Sequence, residues 1–228
     1  MIRALIFDFD GLIIDTETPL IDAWAALHER AGLAYSRDDA HRLVGHVGVE
    51  FDPWSAFGPG TDRTRLEAEH RRLTRELVAR QPVLPGVLEC LRDGRARSLK
   101  LGVASNSSHR HVDGHLARLG LRPLFDAICC RDDVTAVKPA PDLYLAVARQ
   151  LGVAPPEAIA FEDSTAGTVA ARSAGLHVVA VPNPSTHEHD FAAAHLVLPS
   201  LASTPLPQLL ARFSPEARVA PRDLSRNP

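Results

Sequence analysis

Two close pairs of acidic residues in this chain each follow directly on an apolar run. The first run, Ala4–Phe9, ends in Phe7-Asp8-Phe9-Asp10-Gly11. In an extended segment side chains two residues apart point the same way, so Asp8 and Asp10 face one space. Two carboxylates held close repel each other, which raises one pKa unless a cation neutralises them. The second pair, Glu162-Asp163, follows Ala158–Phe161 in the same manner. With Asp8 and the backbone carbonyl of Asp10, it offers the hard oxygen ligands that Mg²⁺ takes. Asp8, Asp10, Glu162 and Asp163 are therefore the candidate metal ligands.

An anion approaches such a cluster only if fixed positive charge helps it. Lys138, followed by Pro139, is the candidate. At about 4 Å and an effective dielectric near 20, one such charge contributes roughly 4 kcal/mol. Ser105 and Asn106 follow the apolar run Leu99–Ala104 and are expected to open a helix through His111, Leu116 and Leu119. A helix N-terminus presents free N–H groups and the positive end of the dipole, so Ser105, Asn106 and the nearby amides are read as phosphate ligands.

These residues need a scaffold that brings strand ends together. Short β-rich runs recur, each followed by a longer helical stretch: Ala4–Phe9, Leu99–Ala104, Ala127–Cys130, Ile159–Phe161 and Val178–Val181. The alternation predicts an α/β fold, a Rossmann-like parallel sheet with helices on both faces. In such sheets ligands bind beyond the carboxyl ends of the strands. About ninety residues separate the first two runs, far more than a crossover needs. They carry helical patterns at Pro19–Ala31, with Trp24, Leu27 and Ala31 near one face, and at Thr64–Arg80, with Leu66, Leu73 and Leu77 in a stripe. This reads as an inserted α-helical cap over residues 16–83, with Asp15–Thr18 and Val83-Leu84-Pro85-Gly86 as hinges. Residues 1–15 and 84–212 form the core, and 213–228 a loose Ser-, Pro- and Arg-rich tail.

Composition narrows the class of partner. The 228 residues are 45% hydrophobic and 23% charged, with a formal net charge of −3. That gives no basic field to attract nucleic acid or an anionic membrane, and a small molecule is the expected partner. The apolar run nearest the N-terminus is far shorter than the roughly 20 residues of a membrane span and lacks a signal-peptide pattern. Cys90, Cys129 and Cys130 are odd in number, two of them adjacent, so they make no disulfide framework. They read as buried small hydrophobes in a reducing cytoplasm.

Asp8-Phe-Asp10-Gly11 with Asp15-Thr16 behind it, Val103-Ala-Ser105-Asn106, Val137-Lys138-Pro139 and Phe161-Glu162-Asp163-Ser164 resemble, in order and strand-end placement, the four motifs of the haloacid dehalogenase superfamily. The resemblance covers about residues 2–200, and the long insertion resembles the subclass of β-phosphoglucomutase and its phosphatase relatives. It implies that Asp8 is a nucleophile toward phosphorus and Asp10 the acid and then the base. It further implies that Glu162 and Asp163 complete a Mg²⁺ shell while Ser105 and Lys138 hold phosphoryl oxygens. The substrate is expected to be a small phosphorylated, sugar-like metabolite. The metal-free dehalogenases resemble the chain less, since Asp10 and the Glu162-Asp163 pair have no purpose there.

Rival readings differ at identifiable residues. A phosphosugar mutase of the β-phosphoglucomutase type shares the core but grips the non-reacting end of its substrate with basic cap residues. The loop Gly45-His46-Val47-Gly48-Val49 carries none, although Arg71 and Arg72 are substitutes. A non-enzymatic phospho-accepting signalling domain also combines aspartates with a hydroxyl and a lysine, but lacks such an insertion. Glu17 at the cap base and His46 in the glycine-flanked loop are candidate substrate contacts. Asp15 and Thr16 either cap the first cap helix or serve as hinge. His109, His111 and His115 read as a solvated helix face, since no third ligand accompanies the His111/His115 spacing. Ala166, Gly167, Ala170, Ala171 and Ala174 read as close helix-to-sheet packing.

Overall fold

The computed structural model describes residues 1–43 and 52–214, with the backbone alone described at 41–43. It is an α/β protein; among the described residues six strands form one sheet, all parallel, in the order β3-β2-β1-β4-β5-β6. The strands are β1 (Ala4–Phe7), β2 (Lys100–Ala104), β3 (Ala127–Cys129), β4 (Ala158–Glu162), β5 (His177–Ala180) and β6 (Leu196–Val197). The helices are α1 (Glu17–Arg30), α2 (Arg37–Leu43), α3 (Arg63–Val78), α4 (Val87–Ala96), α5 (His109–Arg118), α6 (Asp142–Leu151), α7 (Thr165–Ser173) and α8 (Leu206–Arg212).

The central strands are apolar on both faces because both faces are covered. Leu5 and Phe7 of β1 join one core with α4, α5 and α8, through Leu91, Val112, Leu116 and Leu209. Ala4 and Ile6 face the other, built on Leu143, Tyr144 and Val147 of α6 and Ala170 and Ala171 of α7. Phe7 stacks on Phe161 at 4.9 Å, locking β1 to β4. Because β1 pairs with β2 on one side and β4 on the other, the chain reverses its winding at β1. Ligands bind at such a switch point, beyond the carboxyl ends of the strands.

Helices α1, α2 and α3 stand between β1 and α4. Trp24 stacks on His70 at 4.2 Å, and His70 Nε2 bonds the Leu20 carbonyl at 3.0 Å, fastening α3 to α1. Leu66, Leu73 and Leu77 are only half-buried, and Val78 is the buried residue of α3. Ile14 bridges Val83 and the Leu84 N–H donates to the Ile13 carbonyl, so the outgoing and returning chains meet. Among the described residues no helix is long and apolar enough to cross a membrane.

Two features depart from the sequence reading. Strand β6 has no counterpart in the sequence pattern; it has two residues and, among the described residues, pairs with β5 alone. Helix α5 begins at His109, not at Ser105, with Ser108 as its N-cap. In Ser105-Asn-Ser-Ser108 every residue is a competent cap, so composition alone does not locate the start.

Candidate active site

Strand ends β2, β1 and β4 are neighbours, and the site is built from Glu162 at the end of β4, the residues just beyond the three strands, and Lys138 from the loop before α6. The Asp8 N–H donates to the Phe161 carbonyl at 2.9 Å, which carries the β1–β4 pairing one step further and sets Asp8 beside Glu162. Lys138 lies between them, its Nζ 2.5 Å from Asp8 Oδ1 and 2.6 Å from Glu162 Oε1. All three side chains are buried. Charge of this kind is tolerated away from water only when paired and hydrogen-bonded. Tyr144 adds a hydroxyl donated to Glu162 Oε1 at 2.5 Å, and its ring lies 5.1 Å from the Lys138 ammonium.

Asn106 fixes Lys138 from below. Its Oδ1 accepts the Lys138 N–H at 2.9 Å and its Nδ2 donates to the Lys138 carbonyl at 3.2 Å. Asn106 was expected to bind phosphate, but its side-chain amide is occupied by the Lys138 backbone. Ser105 is fully buried; its Oγ accepts from the Ser107 N–H at 3.0 Å and donates to Asp10 Oδ2 at 3.3 Å. Because α5 starts four residues after Ser105, the helix-end reasoning does not apply to it directly.

Asp8, Glu162 and Asp163 each present a carboxylate oxygen within 4.8 Å of the others. Asn183 Nδ2 steadies Asp163 Oδ2 at 2.8 Å and reaches the Gly11 carbonyl at 3.2 Å. Gly11 has φ +77°, and a Cβ there would lie 2.2 Å from Asp163 Oδ2. Gly167 has an equally specific duty, since a Cβ would fall 1.9 Å from the Glu162 carboxyl carbon. That glycine is a seat for Glu162 and more than packing.

Burial pushes Asp8 up to about 8, helped by the charges of Glu162 and Asp10 and opposed by Lys138. Burial likewise lifts Asp163 well above the carboxylate range, with Asp8 and Glu162 adding to the rise. Burial lowers Lys138, but its two carboxylate partners outweigh that and hold it protonated. Three buried carboxylates against one ammonium leave negative charge uncompensated, and a hard divalent cation among their oxygens would cancel it. The donor set therefore fits Mg²⁺.

Asp10 points elsewhere. Its side chain does not belong to the three-carboxylate group; Oδ2 accepts from Ser107 Oγ at 2.7 Å, and Oδ1 lies 2.9 Å from His111 Nε2. Burial raises its pKa, yet the hydrogen bond and charge of His111, with bonds from Ser107 and Thr16, outweigh this and hold it low. Asp10 is therefore not the member of the Asp8/Asp10 pair whose pKa is raised. His111, read from the sequence as a solvated residue, is the main cause of the lowering. His115 stands edge-on to it at 4.8 Å, and His109 sits apart between Asp113 (2.8 Å) and Asp133 (2.7 Å).

On the helical insertion, Asp15 Oδ1 accepts the N–H groups of Glu17 (3.1 Å) and Thr18 (3.0 Å), which caps α1. Burial raises the Glu17 carboxyl, tempered by hydrogen bonds from Ser185 and Asn183, and its charge is felt at Asp163. Glu17 therefore lies near the acidic cluster. His46, with the whole Gly45–Val49 loop, lies outside the described residues. A cavity of about 720 Å³ between α1, α3 and α5 is lined by Arg71, Arg75, Arg110, His70 and His111 among others. Arg72 turns away to Glu76, at 2.6 Å.

Sequence reasoning missed Ser107, His111, Tyr144 and Asn183. Ser107 and His111 belong to the segment it had flagged, one and five residues past Asn106. Tyr144 and Asn183 carry no local signal, because only the tertiary fold brings them to the site.

An open parallel sheet with acids gathered at its winding reversal defines a class of α/β enzymes that work on ligands at strand ends. The chain belongs within it to the haloacid dehalogenase-like hydrolases, a description that matches residues 5–181. It is 38% identical over 214 residues to YhcW of Bacillus subtilis (strain 168), spanning 92% of this chain and 97% of that one. Hexitol phosphatase B of Escherichia coli (strain K12) is 33% identical over 217 residues, with 92% and 97% covered. Among solved structures, β-phosphoglucomutase of Clostridium difficile superimposes with a TM-score of 0.71 at 26% identity, covering 96% of this chain and 100% of that one.

Proposed function

We propose that this hydrolase is a Mg²⁺-dependent phosphatase of a small, sugar-like phosphorylated metabolite, acting through a phospho-aspartyl intermediate on Asp8. The observation that carries the reading is the Asp8 carboxylate at the winding reversal, one oxygen on Lys138, with Glu162 and Asp163 within 4.8 Å. Asp8, Glu162 and Asp163 would hold the cation. When bound, it would neutralise their charge and draw the phosphoryl oxygens toward Asp8.

Asp8 Oδ2, not taken by Lys138, attacks phosphorus in line. The bond from phosphorus to the ester oxygen breaks, and its electron pair leaves with the alcohol. Asp10 protonates that oxygen. Arrival of a phosphoryl dianion beside Asp10, with water excluded, would raise its pKa and favour the acid form. Asp10 then takes a proton from the water that attacks the phospho-aspartate, and inorganic phosphate departs. Lys138 and Ser105 stand where the phosphoryl oxygens would lie, so catalysis rests on positioning and charge.

Residues 16–83 are assigned to a cap over a core of 1–15 and 84–212, and the guanidinium groups of Arg71, Arg75 and Arg110 in the cavity between α1, α3 and α5 to the part of the substrate that does not react. Likeness to hexitol phosphatase B favours hydrolysis. The structural likeness to β-phosphoglucomutase keeps phosphoryl return to a second hydroxyl as the alternative. Three free, buried cysteines fit a reducing cytoplasm.

The test is a screen of phosphorylated metabolites for phosphate release with Mg²⁺ and with EDTA, with Asp8→Asn as control. Metal-dependent release lost in Asp8→Asn is expected. With β-glucose 1-phosphate, glucose 6-phosphate outweighing free phosphate would replace the phosphatase reading by the mutase.

A further inference from the structure

Four groups hold the Asp10 carboxylate, and they differ in stiffness. Ser105, Ser107 and Thr16 contribute hydroxyls. A hydroxyl donor re-aims by rotating a single bond. His111 is different, because its imidazole is planar and its ring is held from two sides. Phe9 stands edge-on to it at 5.7 Å and 89°, and His115 at 4.8 Å and 66°. The next residue, Val112, is fully buried in the core and pins the first turn of α5. Phe9 is itself fully buried and adjoins Asp10 in sequence. The ring and the carboxylate it touches therefore share one rigid support.

The two carboxylate oxygens are also unequal. Oδ2 is held by rotatable serine hydroxyls at 2.7 and 3.3 Å. Oδ1 meets His111 Nε2 at 2.9 Å. Proton transfer requires one oxygen to be held and the other to exchange its partner for the reacting atom, within hydrogen-bond reach.

We propose that His111 is a positioning residue for Asp10: its Nε2–H fixes Oδ1 so that Oδ2 turns from Ser107 to the leaving oxygen and later to the attacking water. The inference rests on Asp10 acting as acid and base, as proposed above. His111 does not touch the phosphoryl group, so its effect appears in turnover and not in binding. Its side chain is about one-third exposed and borders the cavity beside α3, so removing it opens no hole in the core.

The experiment compares His111→Ala, His111→Gln and His111→Asn at saturating Mg²⁺, using the best substrate of the screen. Displacing a reacting group by about 1 Å costs on the order of a hundredfold. We therefore expect kcat of His111→Ala to fall by about tenfold to a hundredfold, with KM changed less than about twofold. A Gln side chain places its amide N–H near the position of Nε2, whereas Asn falls short of it. His111→Gln should recover kcat to within about threefold of wild type and His111→Asn should not. In an Asp10→Asn background, His111→Ala should cost less than about twofold more, since the group it positions is gone.

Unchanged kcat in His111→Ala overturns the proposal. So does an equal loss in the Gln and Asn variants, an effect confined to KM, or a full additive loss in the Asp10→Asn background. If His111→Ala fails to fold, the Gln and Asn pair decides. Full activity of Asp8→Asn would instead refute the phospho-aspartyl reading and leave the His111 contact to be explained anew.

Discussion

The two aspartates of the first motif stand two residues apart yet live in opposite surroundings. Asp8 belongs to a dry knot of charge with Lys138, Glu162 and Asp163, seated on buried strand ends. Asp10 leans on an arm of α5 and the loop before it, where His111 is partly open to solvent. Burial dominates at Asp8 and drives its pKa up; donors win at Asp10 and hold it down. These biases run against the proposed roles, so a cation beside Asp8 would have to favour its ionised form and a phosphoryl dianion beside Asp10 its acid form. The knot sets stability and chemistry together, while the arm should affect the rate and little else.

Removing the nucleophile is the largest blow. Asp8→Asn keeps the volume of the side chain and should lower turnover by about 10⁴-fold or more with the fold intact, read by phosphate release and circular dichroism. Activity within tenfold of wild type would break the contrast at once. Asp10→Asn should cost about 10²- to 10⁴-fold, the usual range for a general acid or base. Rapid-quench assays of that variant should show alcohol release slowed along with phosphate release; a full-size burst of alcohol would deny it the acid step.

Stability should separate the two regions. Lys138→Met leaves Asp8 and Glu162 buried without their shared cation and should destabilise the metal-free protein by about 3–5 kcal/mol in urea. A loss under about 1 kcal/mol would mean that the knot tolerates its acids in neutral form. Gly167→Ala drives a methyl into the Glu162 carboxylate, and overpacking of this kind costs about 1–3 kcal/mol. The smallest effect belongs to the arm. Burial lowers the pKa of His109, but Asp113 and Asp133 outweigh it and raise the value above its ordinary position. Its contribution to stability is therefore complete below about pH 6.5 and fades as pH rises through the raised value. An NMR titration should show the raised pKa, and Asp133→Asn should bring it down.

Much of this division is legible in the amino-acid sequence. Apolar runs closing on acids located the ends of β1 and β4, because a parallel strand buried on both faces has no other room for charge. Lys138 and Ser105 were legible through their motif context. What escaped notice was long-range. Tyr144 donates to Glu162 from α6, and Asn183 reaches Asp163 from the loop after β5, with no spacing in the sequence to signal either contact. His111 was set aside because an i, i+4 histidine pair without a third ligand usually faces water; its partner proved to be a carboxylate a hundred residues earlier. Gly167 was read as packing, since a small residue does not announce which side chain needs the space.

The direct test of the central claim is to stop the reaction within milliseconds of mixing enzyme, Mg²⁺ and a turned-over substrate in acid, and to map the phosphorylated peptide by mass spectrometry. A phosphoryl group on Asp8 that disappears with EDTA or in Asp8→Asn, and that lingers in Asp10→Asn, is the predicted result. Phosphate released at full rate with no label on Asp8, or with label on another residue, would contradict it.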